Sequence, residues 1–296
     1  MKKTLTVIIL WGLCAGCARR QTSPTLSITD DAGRTVGIAG RPGRIVSLAP
    51  SVTEIIYALK AQDRLVGVTS WCDYPPAAKQ KTVVGDATSF NPEMLLALKP
   101  DLAIMAGTAH SSALARLEAI GITVLVLDPK SPDDIIADIG KVGQALGVLP
   151  RADSLVSDMR TSLRLLKDSV DLIPVSRRPS VFVEIGSAPL YTASSSSFIG
   201  RMIETAGGRD IADGLPQDYG TVNPETVIGK NPDVILILHP MATRADVMKR
   251  IGWSRVSAIR TGRVYDAIDL DIVLRPGPRF VQGLREIRRI IREPRP

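Results

Sequence analysis

The chain is poor in the residues that build most catalytic and metal centres. It has two histidines, His110 and His239, and three cysteines in 296 residues, too few for a typical zinc or manganese site. Cys14 and Cys17 lie at the extreme N-terminus. A processed chain would keep only Cys72, so no internal disulfide is expected and packing must carry stability. No Gly-x-Ser-x-Gly elbow, phosphate-binding Walker loop, His-Glu-x-x-His or Gly-x-Gly-x-x-Gly after a strand is present, and no catalytic residue is assigned. The run Ser194–Ser197 has no nearby base and reads as a loop capping the next helix. No later apolar run is long enough for a membrane span. Aromatic residues are only 4% of the chain, so the position of each ring carries information.

What is present begins with a secretory pattern: Met1, Lys2 and Lys3, an apolar run from Leu5 to Leu13, then small residues up to Cys17. Cys14-Ala15-Gly16-Cys17 resembles a bacterial lipobox, with Cys17 as the lipid-bearing residue. Cys14 stands where that pattern usually has Leu, which leaves ordinary secretion as the alternative. Residues 1–17 are assigned to the signal and 18–29 to a tether, placing the protein outside the cytoplasm, anchored only by its lipid. The net charge of +7 collects near the C-terminus, where Arg285, Arg288, Arg289 and Arg292 alternate with Leu284, Ile287, Ile290 and Ile291. That spacing is an amphipathic surface helix, not a nucleic-acid patch.

A repeated frame organises the rest. Asn91-Pro92-Glu93 precedes Pro100-Asp101 and Leu102–Met105; Asn223-Pro224-Glu225 precedes Pro232-Asp233 and Val234–Leu238 at the same spacing. Each copy reads as an Asn-capped helix with Pro at its first position, stopped by the later Pro and followed by a buried strand. Two lobes of related architecture follow. Strands over 44–48, 65–69 and 124–127 alternate with helices over 51–59 and 112–120, and the second lobe has a strand ending at Ile185 and a helix over 198–205. The expected fold class is α/β, two lobes with mainly parallel central sheets flanked by helices. The lobes span 30–149 and 174–296, and one long helix, 150–173, with Leu155, Met159, Leu163, Leu166 and Val170 at helical spacing, joins them. A stiff connector implies a cleft that changes shape modestly on binding.

The segment Arg44-Ile45-Val46-Ser47-Leu48-Ala49-Pro50-Ser51-Val52-Thr53-Glu54, then Val66-Gly67-Val68-Thr69, Asp73-Tyr74-Pro75-Pro76 and Leu98-Lys99-Pro100-Asp101-Leu102, resembles the periplasmic binding proteins for cobalamin and ferric siderophores. The resemblance runs from about Asp30 to the C-terminal helix. It implies a monomeric, non-enzymatic protein with a helical backbone that carries a small molecule to an ABC permease dimer, with cobalamin or a related corrinoid as ligand and haem or a ferric siderophore as the alternative. It implies no resident cofactor or metal. One Glu per lobe would dock on permease arginines, at Glu54 and Glu204; read from the residues alone, Glu54 closes a capping box with Ser51 and Glu204 lies on a solvated helix face. Positions matching the family's cobalamin contacts are Tyr74, Tyr191, Tyr219 and Arg275, with Tyr where Phe or Trp is usual. Trp71 and Asp271 join them by position, as does Phe90 among the rings placed in loops at strand or helix ends, and Asp269 shares the loop of Asp271. Each ring is read equally as capping a lobe core, Arg275 and the two Asp residues as ordinary loop residues, and Cys72 as a packed small side chain. His110 and His239, each at the end of a strand following the repeat, are candidate iron ligands under the haem alternative.

Overall fold

The computed structural model describes residues 25–86, 89–107 and 111–293. The first lobe opens with an antiparallel hairpin, β1 (Thr25–Thr29) and β2 (Thr35–Ala39). There follow β3 (Ile45–Ser47), α1 (Pro50–Ala58), β4 (Leu65–Val68), β5 (Thr82–Val83), α2 (Pro92–Leu98), β6 (Leu102–Ala106), α3 (Ser111–Ala119), β7 (Val124–Leu127) and α4 (Pro132–Ala145). Strands 3 to 7 form a parallel sheet in the order β5-β4-β3-β6-β7. β3 and β7 are buried at every position, as expected for a parallel sheet covered on both faces.

A 23-residue helix, α5 (Leu149–Asp171), then leads into the second lobe. That lobe comprises β8 (Ser180–Glu184), β9 (Gly186–Ser187), β10 (Leu190–Ala193), α6 (Phe198–Ala206), β11 (Arg209–Asp210), β12 (Tyr219–Thr221), α7 (Pro224–Lys230), β13 (Val234–Ile237), α8 (Arg244–Met248), α9 (Ser257–Arg260), β14 (Val264–Tyr265), α10 (Leu270–Leu274) and α11 (Phe280–Arg292). Its parallel sheet has the order β11-β8-β13-β14, and a small antiparallel sheet, β12-β10-β9, stands beside it.

The repeat has a structural reason. The Asn91 side chain accepts hydrogen bonds from the amides of Glu93 and Met94, and Asn223 accepts from Glu225, so each caps its helix. Each helix ends two residues before its Pro, and the residue between, Lys99 or Asn231, turns left-handed at φ 45° or 47°. The following aspartates clip the start of an inner strand of their own lobe, β3 or β8: Asp101 accepts from the Gly43 and Arg44 amides, and Asp233 from the amide and hydroxyl of Ser180. Helix, stop and strand are thereby fixed to the sheet centre twice.

One continuous cluster of buried apolar side chains passes from the hairpin through α1, α4 and α5 to α6, β8, β13 and α11, so the two lobes share a core. Cys72 belongs to it, buried with its sulfur 3.2 Å from the Thr69 hydroxyl, as a packed small side chain. α11 turns Leu284, Ile287, Ile290 and Ile291 inward, the apolar stripe read from the sequence, and Phe280 extends it at the N-terminal end. Among the described residues no helix is long and apolar enough to cross a membrane; Cys17 lies outside them.

Candidate functional site

The first turns of α1 and the loop after β4, both in the first lobe, meet the segment between α10 and α11 of the second. Gly277 makes the approach possible: a side chain there would meet the Ser51 backbone at 3.3 Å. Flanking it, Arg275 and Arg279 reach across to the first lobe. Arg279 donates to both carboxylate oxygens of Glu54, at 2.9 and 2.7 Å, and its guanidinium lies 3.9 Å from the centre of the Tyr74 ring. Arg275 donates to Asp73 at 2.7 Å, pairs with Asp271 at 2.9 Å and stands 3.5 Å from Glu54. The hydrogen bond from Arg275 holds the Asp73 carboxyl below its ordinary range despite partial burial. Bidentate and stacked arrangements of this kind need guanidinium, not ammonium.

Glu54 therefore differs from both readings of the sequence. It is 3% exposed and committed to Arg279, not a free surface carboxylate. No capping box forms either, because Ala49 occupies the N-cap of α1 without a side-chain bond and Pro50 takes the first helical position. Glu204 is an exposed residue of α6, 3.0 Å from Arg201. Asp269 is the N-cap of α10, accepting from the Asp271 amide, so the late loop is a short helix.

A second contact between the lobes is made by Lys130, 3.2 Å from Asp128 of the first lobe and 3.5 Å from Asp218 of the second. Next to Asp218 stands Tyr219, whose hydroxyl is pushed up to about 12, chiefly by burial and then by Asp218 and Asp128.

Tyr191 and Tyr219 were expected in loops; both are in strands. The register pairs Tyr191 with Thr221 and Ala193 with Tyr219. Residues directly opposite in an antiparallel ladder share a face, so both tyrosines stand on one face as diagonal neighbours. Thr192 points the other way, buried, donating to the Val183 carbonyl at 2.6 Å. Each tyrosine is 37% exposed, Tyr74 is 43% exposed and Trp71 62%, while Phe90 is buried in the first lobe under Arg116. Beside Tyr191 lies exposed Met241, whose methyl is 3.9 Å from where a side chain at Gly186 would begin.

His239 holds the Met241 loop. Its Nδ1 accepts from the Met241 amide at 3.1 Å, which leaves the proton on Nε2, 3.3 Å from Glu184. Fully buried Glu184 also receives two 2.8 Å bonds from Arg250, which stacks on Trp253. With both ring nitrogens bonded and 7% exposure, His239 is not poised as an iron ligand; His110 lies outside the described residues. Among the described residues no cluster of His, Cys, Asp or Glu is arranged to hold a metal.

Residues 45–269 match the model of the periplasmic binding protein family. The chain belongs to that family. An uncharacterized ABC transporter substrate-binding lipoprotein of Bacillus subtilis, YvrC, is 34% identical over 267 residues, covering 88% of this chain and 84% of the relative. The vitamin B12 binding protein BtuF of Vibrio cholerae has a similar structure, with TM-score 0.73 and 28% identity over 84% of this chain and 96% of that one. The heme-binding protein RhuT of Roseiflexus sp. RS-1 is also similar, with TM-score 0.72 and 28% identity over 84% and 97%. As a periplasmic binding protein the chain is a solute-binding component of an ABC importer, with a small-molecule ligand and a permease as partners. Of the sequence-derived candidates, Glu54, Asp271 and Arg275 meet at the contact between lobes with Tyr74 stacked on Arg279 beside them, and Tyr191 and Tyr219 share one sheet face. Arg279, Asp73, Lys130, Asp218 and Met241 were missed. Arg279 left a sequence signal, four residues after Arg275 in the same loop, and Asp73 another, inside the quoted Asp73-Tyr74-Pro75-Pro76 stretch.

Proposed function

We propose that the protein binds a corrinoid, cobalamin or a close relative, between its lobes and delivers it to an ABC permease. The observation that carries this reading is the pair of half-exposed tyrosines on one face of the β10-β12 sheet, a flat platform beside the lobe contact. With Tyr74 and Trp71 from the other lobe it supplies the apolar, ring-rich walls that a large planar ligand needs, and the phenol hydroxyls add hydrogen bonds for polar side groups. The basic groups at the contact, Arg275, Arg279 and Lys130, are all already paired with carboxylates. An amide-rich corrinoid can bond to such pairs without displacing them. The propionates of haem or the anionic oxygens of a ferric siderophore would have to compete with Asp73, Glu54 or Asp218. Similarity to the Vibrio cholerae vitamin B12 protein supports the corrinoid; similarity to the Roseiflexus heme protein makes haem the rival.

Titration of the chain lacking residues 1–17 with cyanocobalamin, dicyanocobinamide, haemin and a ferric catecholate tests the assignment. One-to-one corrinoid binding is expected, weakened about tenfold or more by Tyr191→Ala or Tyr219→Ala, since base-sized stacking contacts contribute roughly 1–3 kcal/mol each. Binding of haemin alone would retire the corrinoid and keep the transport role.

Cys17 is the proposed lipid anchor, in line with the lipoprotein name of the Bacillus subtilis relative. Cys17→Ala is expected to move the protein from the membrane fraction to the soluble one; unchanged membrane association would remove the assignment. Glu204 is the carboxylate available for a permease arginine.

A further inference from the structure

We infer that Glu54 and Arg279 are positioning residues for the ligand, bracing Tyr74 from behind so that only its outer face is offered to the cleft. The inference rests on the reading of Tyr74 as a ligand-contacting ring. Tyr74 is held by little else among the described contacts: it lies in a segment without regular structure, between the turn at Trp71 and the short helix over 76–80, and is 43% exposed. One of its faces is covered by the Arg279 guanidinium, 3.9 Å from the ring centre. That guanidinium is itself fixed in plane by two bonds to Glu54, and Glu54 is buried in α1, a helix whose residues 51 to 56 are all buried. The chain of support therefore runs from the rigid core of the first lobe, through an arginine of the second lobe, to a ring on a loop of the first.

Two consequences distinguish a brace from an ordinary ion pair. A guanidinium on one face draws on the ring's negative quadrupole, so the free face favours an extended π-system over a second cation. Arg279 also belongs to the second lobe, so its contact with Tyr74 exists only while the lobes are together. The ring is thus ordered by the same geometry that closes the site. Pre-ordering a contact group in the free protein lowers the entropy lost on binding.

The test combines hydrogen exchange with a double-mutant cycle. Glu54→Gln preserves volume and Arg279→Gln removes the cation; both are expected to speed amide exchange over residues 71–80 in the ligand-free protein. Both should also weaken cyanocobalamin binding by about tenfold, with Arg279→Lys intermediate, whereas Lys167→Gln on the exposed side of α5 stays within about twofold of the parent. If support passes through the ring, Glu54→Gln costs almost nothing in a Tyr74→Leu background. Unchanged exchange over 71–80 in both single variants overturns the brace, as does a Glu54→Gln effect that is undiminished without Tyr74. Failure of the unmodified protein to bind any corrinoid would instead refute the proposed function. The exchange experiment would still decide the brace, and haemin would serve as probe for the cycle if haemin is bound.

Discussion

A Glu184→Ala variant is expected to be less stable than the parent by about 3–5 kcal/mol, the cost of removing one partner of a buried charge pair. Glu184 is fully buried at the end of β8, and Arg250 is mostly buried over Trp253. Without the carboxylate, Arg250 keeps its charge and loses both hydrogen bonds, and the Nε2 proton of His239 loses its acceptor. Trp253, fully buried and edge-on to Phe182 with ring centres 6.0 Å apart, then loses its ordered cation. Urea denaturation midpoints measure the loss; a change below about 1 kcal/mol would show that the network orders a loop without anchoring the lobe. Ligand affinity should fall too, because His239 ties the Met241 loop beside Tyr191. Glu184→Gln, which keeps one acceptor, should cost less in both assays.

That network also shows where sequence reading stopped. Asn91 and Asn223 were legible because a capped helix is a local device: the side chain bonds amides two or three residues away, and Pro at the next position reinforces it. The parallel sheets were legible because β4, β6, β7 and β13 are unbroken apolar runs, whereas the two-residue edge strands β5 and β11, Thr-Val and Arg-Asp, left no such signal. Tyr191 and Tyr219 were placed in loops because β9, β10 and β12 have only two to four residues each, too short to show an alternation. Glu54 was misread for a different reason. Its Arg279 partner is 225 residues away, and that of Asp73 is 202 away; no local pattern records contacts made by bringing two lobes together. A carboxylate on a helix looks solvated until the fold supplies its cation. Arg275 was found only through the family resemblance, and the same resemblance gave no hint that Asp73 neutralises it.

Two buried aspartates should each withdraw stability as the medium turns from acid to neutral, opposing the contribution of ion-paired carboxylates such as Asp73. Asp210 at the end of β11 accepts one hydrogen bond from the Ala212 amide, and its second oxygen is buried without a partner. Burial, aided by the nearby charges of Glu204 and Asp213, raises its carboxyl from 3.8 to about 7. Asp138 in α4 is raised to about 7 as well, chiefly by burial and against the pull of its Lys141 hydrogen bond. The fold therefore prefers the protonated form of each. Between about pH 4 and 7 these two sites bind more protons in the native state than in the unfolded chain, so their contribution to the unfolding free energy decreases with pH over that window. For one such group the complete change is on the order of 4 kcal/mol. Asp210→Asn removes the ionisation and keeps an acceptor for Ala212, although its amide inherits the unpartnered position. It is expected to match the parent near pH 4, where the protonated Asp210 leaves a hydroxyl in the same unpartnered position, and to exceed it by about 4 kcal/mol above pH 7.5, the whole of the linkage. Asp138→Asn should gain less, because Lys141, also bonded to Asp31, loses one of its two carboxylates. Denaturation curves collected from pH 4 to 8 measure both effects. A gap between Asp210→Asn and the parent that stays constant across that range would mean that burial does not hold the proton on Asp210 and that its buried oxygen finds a partner, such as a bound water.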